Sequence, residues 1–174
     1  MQLTEAIALI QHNDYDSARL STWADLGCGT GLFTRALATK QPPGSVIYAL
    51  DTDQTALRQL TNYNEVIIRT VCQDFVQAPW SFGPVDGLLM ANSLHYVKDK
   101  PAFLEKAQGY LTKSGYFLLI EYDTDTANPW VPYPLSFLSL KHIFNTAGYS
   151  FVEKLHEMPS RYQRANLYSV LVKR

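Results

Sequence analysis

The sequence predicts an α/β domain built on a doubly wound, mostly parallel seven-stranded sheet that ends in a C-terminal antiparallel hairpin. Three observations predict it. Short apolar runs alternate with helical patterns along most of the 174 residues, the pattern of a parallel sheet covered on both faces. A glycine-rich stretch, "ADLGCGTG", joins the first of these runs to a helical pattern, and such turns let backbone approach a ligand closely. The last two apolar runs have no helical pattern between them, so they pair as a hairpin.

The elements follow in order. Residues 2–12 form a short amphipathic helix. "STWADL" is the first strand, and residues 31–40 place Leu32, Phe33, Ala36 and Leu37 on one helical face. "PPG" at 42–44 stops that helix, because proline lacks a donor and clashes with the preceding turn. "SVIYAL" is a buried strand, Asp53 to Leu60 a helix, and "EVIIRTV" the third strand. The Gly83–Pro84 turn leads into "PVDGLLMA", the fourth. Asp99 and Pro101 start a helix that ends near Gly109. "GYFLLIEY" is the fifth strand. The loop "ANPWVPYP" precedes a helix from Leu135 to Ala147, and "YSFVEKLHEM" and "RANLYSVLVKR" complete the sheet.

Composition narrows the function classes. With 47% hydrophobic and 18% charged residues, the chain can bury a core without metals or disulfides. A net charge of −1 with no block of Lys and Arg argues against a nucleic-acid partner. Cys28 and Cys72 lie in no CxxC or Cys/His cluster, and no metal site is expected. "MQLTEAIALI" carries an acid where a secretory segment carries basic residues, and no apolar run approaches membrane-spanning length. The expectation is a single cytoplasmic domain over 1–174, with residues 1–20 as a short helical extension and no membrane partner.

The glycine turn selects among ligands. A dinucleotide fingerprint, G-x-G-x-x-G, would need its third glycine at the position that Leu32 occupies. Asp25, just before the turn, would oppose a pyrophosphate but attract an ammonium group. A charge-assisted hydrogen bond of that kind contributes about 1.5–3 kcal/mol. No G-x-x-x-x-G-K-[ST] is present, which excludes the P-loop reading.

"ADLGCGTG" resembles the first motif of the class I S-adenosylmethionine-dependent methyltransferases. "VIYALDTD" resembles their second motif, and "CQDF" the segment after the third strand. "VDGLLMANSLHYVKD" is similar to the fourth motif, close to the small-molecule subgroup that includes quinone-biosynthesis methyltransferases. The resemblance spans about residues 20–121 and implies a Rossmann-like methyltransferase fold, S-adenosyl-L-methionine as cofactor and a small-molecule methyl acceptor. It implies a cofactor site of Asp25, Gly27, Cys28, Gly29, Gly31, Asp51, Thr52, Asp74, Phe75, Asn92 and Ser93.

Most of these residues have a plainer alternative. Asp51 can accept both ribose hydroxyls, or it can cap the following helix, as Thr52 or Asp53 also can. Asp74 is similar to the acid that meets the adenine amino group, with Phe75 as apolar neighbour; otherwise it is a solvated loop acid. Cys28 also reads as a small filler. Asn92 and Ser93 end the fourth strand, where the resemblance puts the amino-acid end of the cofactor and the acceptor. His95 is a candidate general base or a structural histidine, and Tyr96 a packing residue. Tyr15 and the aromatic segment 122–147, with Tyr122, Trp130, Tyr133 and Phe137, either flank the acceptor as a lid or cover the sheet. Two other functions compete: a non-catalytic protein that binds the same cofactor, and a nicotinamide-dependent oxidoreductase.

Overall fold

The chain runs α1 (Leu3–Leu9), β1 (Thr22–Leu26), α2 (Leu32–Ala38), β2 (Val46–Asp51), α3 (Gln54–Leu57) and β3 (Ile67–Cys72). It continues through β4 (Val85–Ala91), a 3-10 turn (Leu94–Tyr96), α4 (Lys100–Gln108), β5 (Leu111–Tyr122), α5 (Phe137–Thr146), β6 (Phe151–Pro159) and β7 (Asn166–Lys173). The computed structural model describes residues 1–12, 19–160 and 165–174.

The seven strands form one sheet in the order β3-β2-β1-β4-β5-β7-β6. β1 to β5 pair in parallel, and β7 lies antiparallel to both β5 and β6. The chain winds outward from β1 through β2 to β3, then restarts at β4 on the other side of β1. This reversal opens a crevice at the carboxyl ends of β1 and β4.

Each face of the sheet has its own core. Trp23, Ile47, Leu89, Leu118 and Ile120 pack against Leu9 and Ile10 of the N-terminal segment and Phe33 and Leu37 of α2. On the other face Leu26, Leu88, Met90, Phe117 and Leu119 meet Phe103 and Leu104 of α4 and Leu140 and Phe144 of α5. The twelve-residue link 73–84 crosses this second face with no helix. Aromatic rings fill the space instead. Tyr48 stacks on Phe82 at 5.0 Å, Phe82 on Trp80 at 5.5 Å, and Trp80 leans on Tyr110 at 4.6 Å. Such pairs contribute about 0.5–1.5 kcal/mol each beyond the area they bury.

The predicted elements are present, and most helices are shorter than expected. α1 stops at Leu9 instead of residue 12. α2 stops at Ala38 instead of residue 40, closing with an i→i+3 bond from Lys40 N–H to Leu37 C=O before the two prolines. α3 keeps only Gln54–Leu57 of the expected 53–60. α5 starts at Phe137 rather than Leu135, because Ser136 caps it. β5 begins at Leu111, ahead of the expected "GYFLLIEY", through an irregularity in its pairing with β4 between Val85 and Gly87.

Gly87 lies in the middle of β4, where glycine ordinarily weakens a strand. Here a Cβ would overlap the six-membered ring of Trp23, which is fully buried and meets Tyr116 edge-on at 5.2 Å. The central strands can approach each other around that indole only with glycine opposite it. Gly87→Ala is therefore expected to lower stability by about 1–3 kcal/mol through overpacking, measured by urea unfolding followed by tryptophan fluorescence.

Candidate functional site

The glycine turn is held from beneath by the end of β2. Gly27 and Cys28 N–H both donate to the Leu50 carbonyl, at 2.8 and 2.9 Å, and Gly29 N–H donates to Asp51 Oδ2 at 2.7 Å. Gly27, Gly29 and Gly31 take φ of 79°, 53° and 80°, the left-handed region that side chains resist. A Cβ at Gly27 would press on Ser93 Cβ at 2.7 Å, and one at Gly31 would overlap Leu60, whereas nothing lies within 4 Å at Gly29. Three amide groups of the turn are thus turned inward and are not available to a phosphate.

The unsatisfied groups here are acceptors. Asp25 is 1% exposed; its Oδ2 accepts from Thr34 Oγ1 at 2.6 Å, and its Oδ1 has no partner among the described residues. Burial pushes its pKa up to about 7, against the lowering effect of the Thr34 hydroxyl and with a smaller contribution from the Asp51 charge. Asn92, just beyond β4, has φ of 54° and a buried Oδ1 that is also unpartnered. Two orphaned oxygens thus sit at the ends of adjacent strands, where buried acceptors normally have donors.

Asp51 accepts one backbone N–H on each carboxylate oxygen, from Gly29 and from Asp53 at 2.9 Å, which leaves each oxygen further acceptor capacity. The cap of α3 is Asp53, whose Oδ1 accepts from Thr55 and Ala56 N–H. The alternative reading of Asp51 as the helix cap is thereby corrected. Asp74 Oδ1 accepts from Val76 and Gln77 N–H at 2.7 and 3.2 Å. Ser93 is a tie between strands, its Oγ donating to the Leu26 carbonyl at 2.5 Å.

These residues border a cavity of about 800 Å³. Gly27, Asp51, Thr52, Asp74, Phe75, Asn92 and Ser93 line it. Asp25, Gly29 and Gly31 are not among its lining residues. Cys28 packs against Ala49 and Leu57, and burial together with the Asp25 and Asp51 charges pushes its thiol pKa up, away from reactivity. The opposite wall includes Tyr96, Ala102, Phe103, Lys106 and Tyr133. The sequence reading missed the α4 part of that wall. Its signal was the spacing Asp99, Ala102, Phe103, Lys106, which puts all four near one helical face.

His95 does not line the cavity. Its Nδ1 lies 2.7 Å from Glu121 Oε2 and its N–H donates to Glu121 Oε1 at 3.2 Å, with both side chains buried. The His95 carbonyl accepts from Tyr133 N–H at 3.0 Å, and Lys100 Nζ donates to the Tyr133 carbonyl at 2.8 Å. Further along the loop, Asp123 and Asp125 carboxylates accept from Phe137 and Ser136 N–H. Tyr133 is therefore built into a braced wall. Trp130 is 74% exposed, Phe137 packs edge-on against Tyr168, and Tyr122 lies 6.4 Å from His95 between ring centroids. Tyr15 lies outside the described residues.

The methyltransferase domain model matches residues 24–119, more than half of the chain. No curated protein sequence matches it. The fold is similar to that of 1,6-didemethyltoxoflavin-N1-methyltransferase from Burkholderia thailandensis, solved with 1,6-didemethyltoxoflavin and S-adenosylhomocysteine bound. The TM-score is 0.73 at 17% identity, over 99% of this chain and 77% of that one. It is also similar to an S-adenosylmethionine-dependent methyltransferase from Leishmania major, with TM-score 0.71 at 18% identity, over 97% and 70% of the two chains. Magnesium protoporphyrin IX methyltransferase from Synechocystis, solved with S-adenosylmethionine bound, gives 0.68 at 14%, over 97% and 77%. By the match over its first five strands, and by the glycine turn and crevice those strands build, this chain belongs to the methyltransferase domain family.

Proposed function

We propose that this chain transfers a methyl group from S-adenosyl-L-methionine to a small-molecule acceptor by in-line displacement. The observation that carries the proposal is the pair of buried, unpartnered oxygens of Asp25 and Asn92 beside a turn whose amides are turned inward. Such a site suits a ligand with a cationic amino-acid end and no phosphate, as the cofactor has. A nicotinamide dinucleotide fits it poorly, because its pyrophosphate would lie near the Asp25 carboxylate, beside three turn amides already engaged with β2.

In this reading Asp25, Asn92 and the open face of Gly29 hold the amino-acid end. Asp51, with Thr52 beside it, accepts the ribose hydroxyls, and Asp74 and Phe75 meet the adenine. When bound, the cofactor supplies an electrophilic methyl group on a sulfonium. The chain contributes orientation and exclusion of water, and positioning alone can lower a barrier by about 7–11 kcal/mol. Tyr96 and Tyr133 present partly exposed rings at the cavity wall, which suits a small, planar, partly apolar acceptor. His95 is assigned to bracing Tyr133, since its buried Nδ1 is committed to Glu121 and its carbonyl accepts the Tyr133 N–H. A cytoplasmic location is proposed as well; among the described residues no helix is long and apolar enough to cross a membrane, and the exposed Cys72 is a free thiol, which suits a reducing compartment.

Calorimetric titration tests the reading: S-adenosylhomocysteine is expected to bind and NADH not to, and the reverse would overturn it. Methyl transfer from the labelled cofactor to an acceptor panel separates an enzyme from a binding protein. Asp51→Ala is expected to weaken S-adenosylhomocysteine at least about tenfold, one ordinary charged hydrogen bond, with an unchanged circular dichroism spectrum.

Asp25 makes the third test. Its carboxyl must ionise to meet an ammonium group, so log Kd for S-adenosylhomocysteine should fall as pH rises toward about 7 and level off above it. The folded pKa lies above the unfolded one, so this group favours the fold fully below about 3.8 and loses that contribution as pH rises through about 7. Asp25→Asn should therefore raise the melting temperature of the ligand-free protein at pH 8, by about 2–4 °C per kcal/mol recovered. The gain should shrink toward pH 5, while binding weakens.

A further inference from the structure

We propose that Lys106 is a positioning residue for the adenine end of the cleft, because its ammonium gathers the carbonyls of the turn that carries Asp74 and Phe75. The inference rests on the cofactor reading above.

The helix-free link makes a single helical turn at its start, closed by Ala78 N–H donating to the Asp74 carbonyl at 3.1 Å. One turn is an unfavourable structure alone, with several backbone groups left unpaired at each end. Side chains supply both ends here. Asp74 Oδ1 accepts the N–H groups of Val76 and Gln77. At the other end Lys106 Nζ donates to the carbonyls of Phe75, Val76 and Ala78 at 2.9, 3.0 and 2.6 Å. Trp80 Nε1 adds a bond to the Phe75 carbonyl at 2.8 Å, and its ring lies 5.1 Å from the Lys106 ammonium.

An ammonium has three donors, and these three carbonyls use them all. Lys106 lines the cavity, yet it is engaged with the protein and is not free to bind an anion. A compact ammonium suits three converging carbonyls better than a planar guanidinium. Burial pushes the Lys106 pKa down while the Asp74 charge opposes the shift, so the two ends of the turn also attract each other. Rotation of this turn would re-aim the Asp74 carboxylate, and with it the discrimination between an exocyclic amine and a carbonyl at the purine 6-position.

The test measures Kd for S-adenosylhomocysteine and S-inosylhomocysteine with the wild type, Lys106→Met, Asp74→Asn and the double variant. The wild type should prefer the adenosyl compound by about tenfold or more, and Lys106→Met should cut that ratio by about fivefold. In the Asp74→Asn background the Lys106 change should alter the ratio by less than about twofold, since its effect passes through Asp74. A merely structural lysine would lower the melting temperature and leave the ratio in place, and that result overturns the proposal. Trp80→Phe removes one bond to the same carbonyl and should shift the ratio in the same direction. If Lys106→Met does not fold, an unchanged ratio in Trp80→Phe overturns the proposal instead. Failure of the wild type to bind S-adenosylhomocysteine would overturn the cofactor reading itself.

Discussion

The site depends on the way the carboxyl end of β2 holds the glycine turn. The Leu50 carbonyl takes two turn amides and the Asp51 carboxylate takes a third. This pulls the turn down onto the sheet and forces the left-handed conformations at Gly27, Gly29 and Gly31. It also sets the electrostatic sign of the crevice. With the amides facing the protein, the groups left wanting partners are the oxygens of Asp25 and Asn92. In the proposed reading, the same strand-turn-helix that elsewhere cradles phosphate becomes a receptor for donors and positive charge.

That conversion costs stability. A carboxylate with 1% exposure and one hydroxyl partner is held at a raised pKa, and in the ligand-free domain its charge is a burden near neutral pH. Neighbouring contacts hold it in place. Thr34 of α2 fixes one oxygen, Ser93 ties the end of β4 to β1, and the aromatic stack from Tyr48 to Tyr110 closes the face below. In the proposed reading, the cofactor would give this carboxylate the partner it lacks.

Local patterns were legible in the sequence, and distant pairings were not. Alternating apolar runs gave the strands, and the Asp-x-Gly-x-Gly-x-Gly spacing marked the turn. The choice between Asp51 and Asp53 as helix cap was open, because either spacing places an oxygen near the first amides; only the geometry assigns the cap to Asp53. The aromatic link of residues 73–84 has no period for a sequence to display, since its rings stack on Tyr48 and Tyr110 from other elements. The pairing of His95 with Glu121 and that of Lys106 with the Phe75 turn each join residues more than twenty positions apart. Such contacts are created by the topology and leave no local trace.

The bracing of Tyr133 has a thermodynamic side. Its amide is taken by His95 and its carbonyl by Lys100, and the flanking aspartates hold the loop at Ser136 and Phe137. Swinging this wall outward would break several of these bonds together and leave the buried Lys100 ammonium with the Val97 carbonyl alone of its two carbonyl partners. The conformational entropy of the segment is thus lost when the chain folds and not when an acceptor arrives. The wall is preorganised, so in the proposed reading discrimination among acceptors there would come from the shape and chemistry already present, with little help from induced fit.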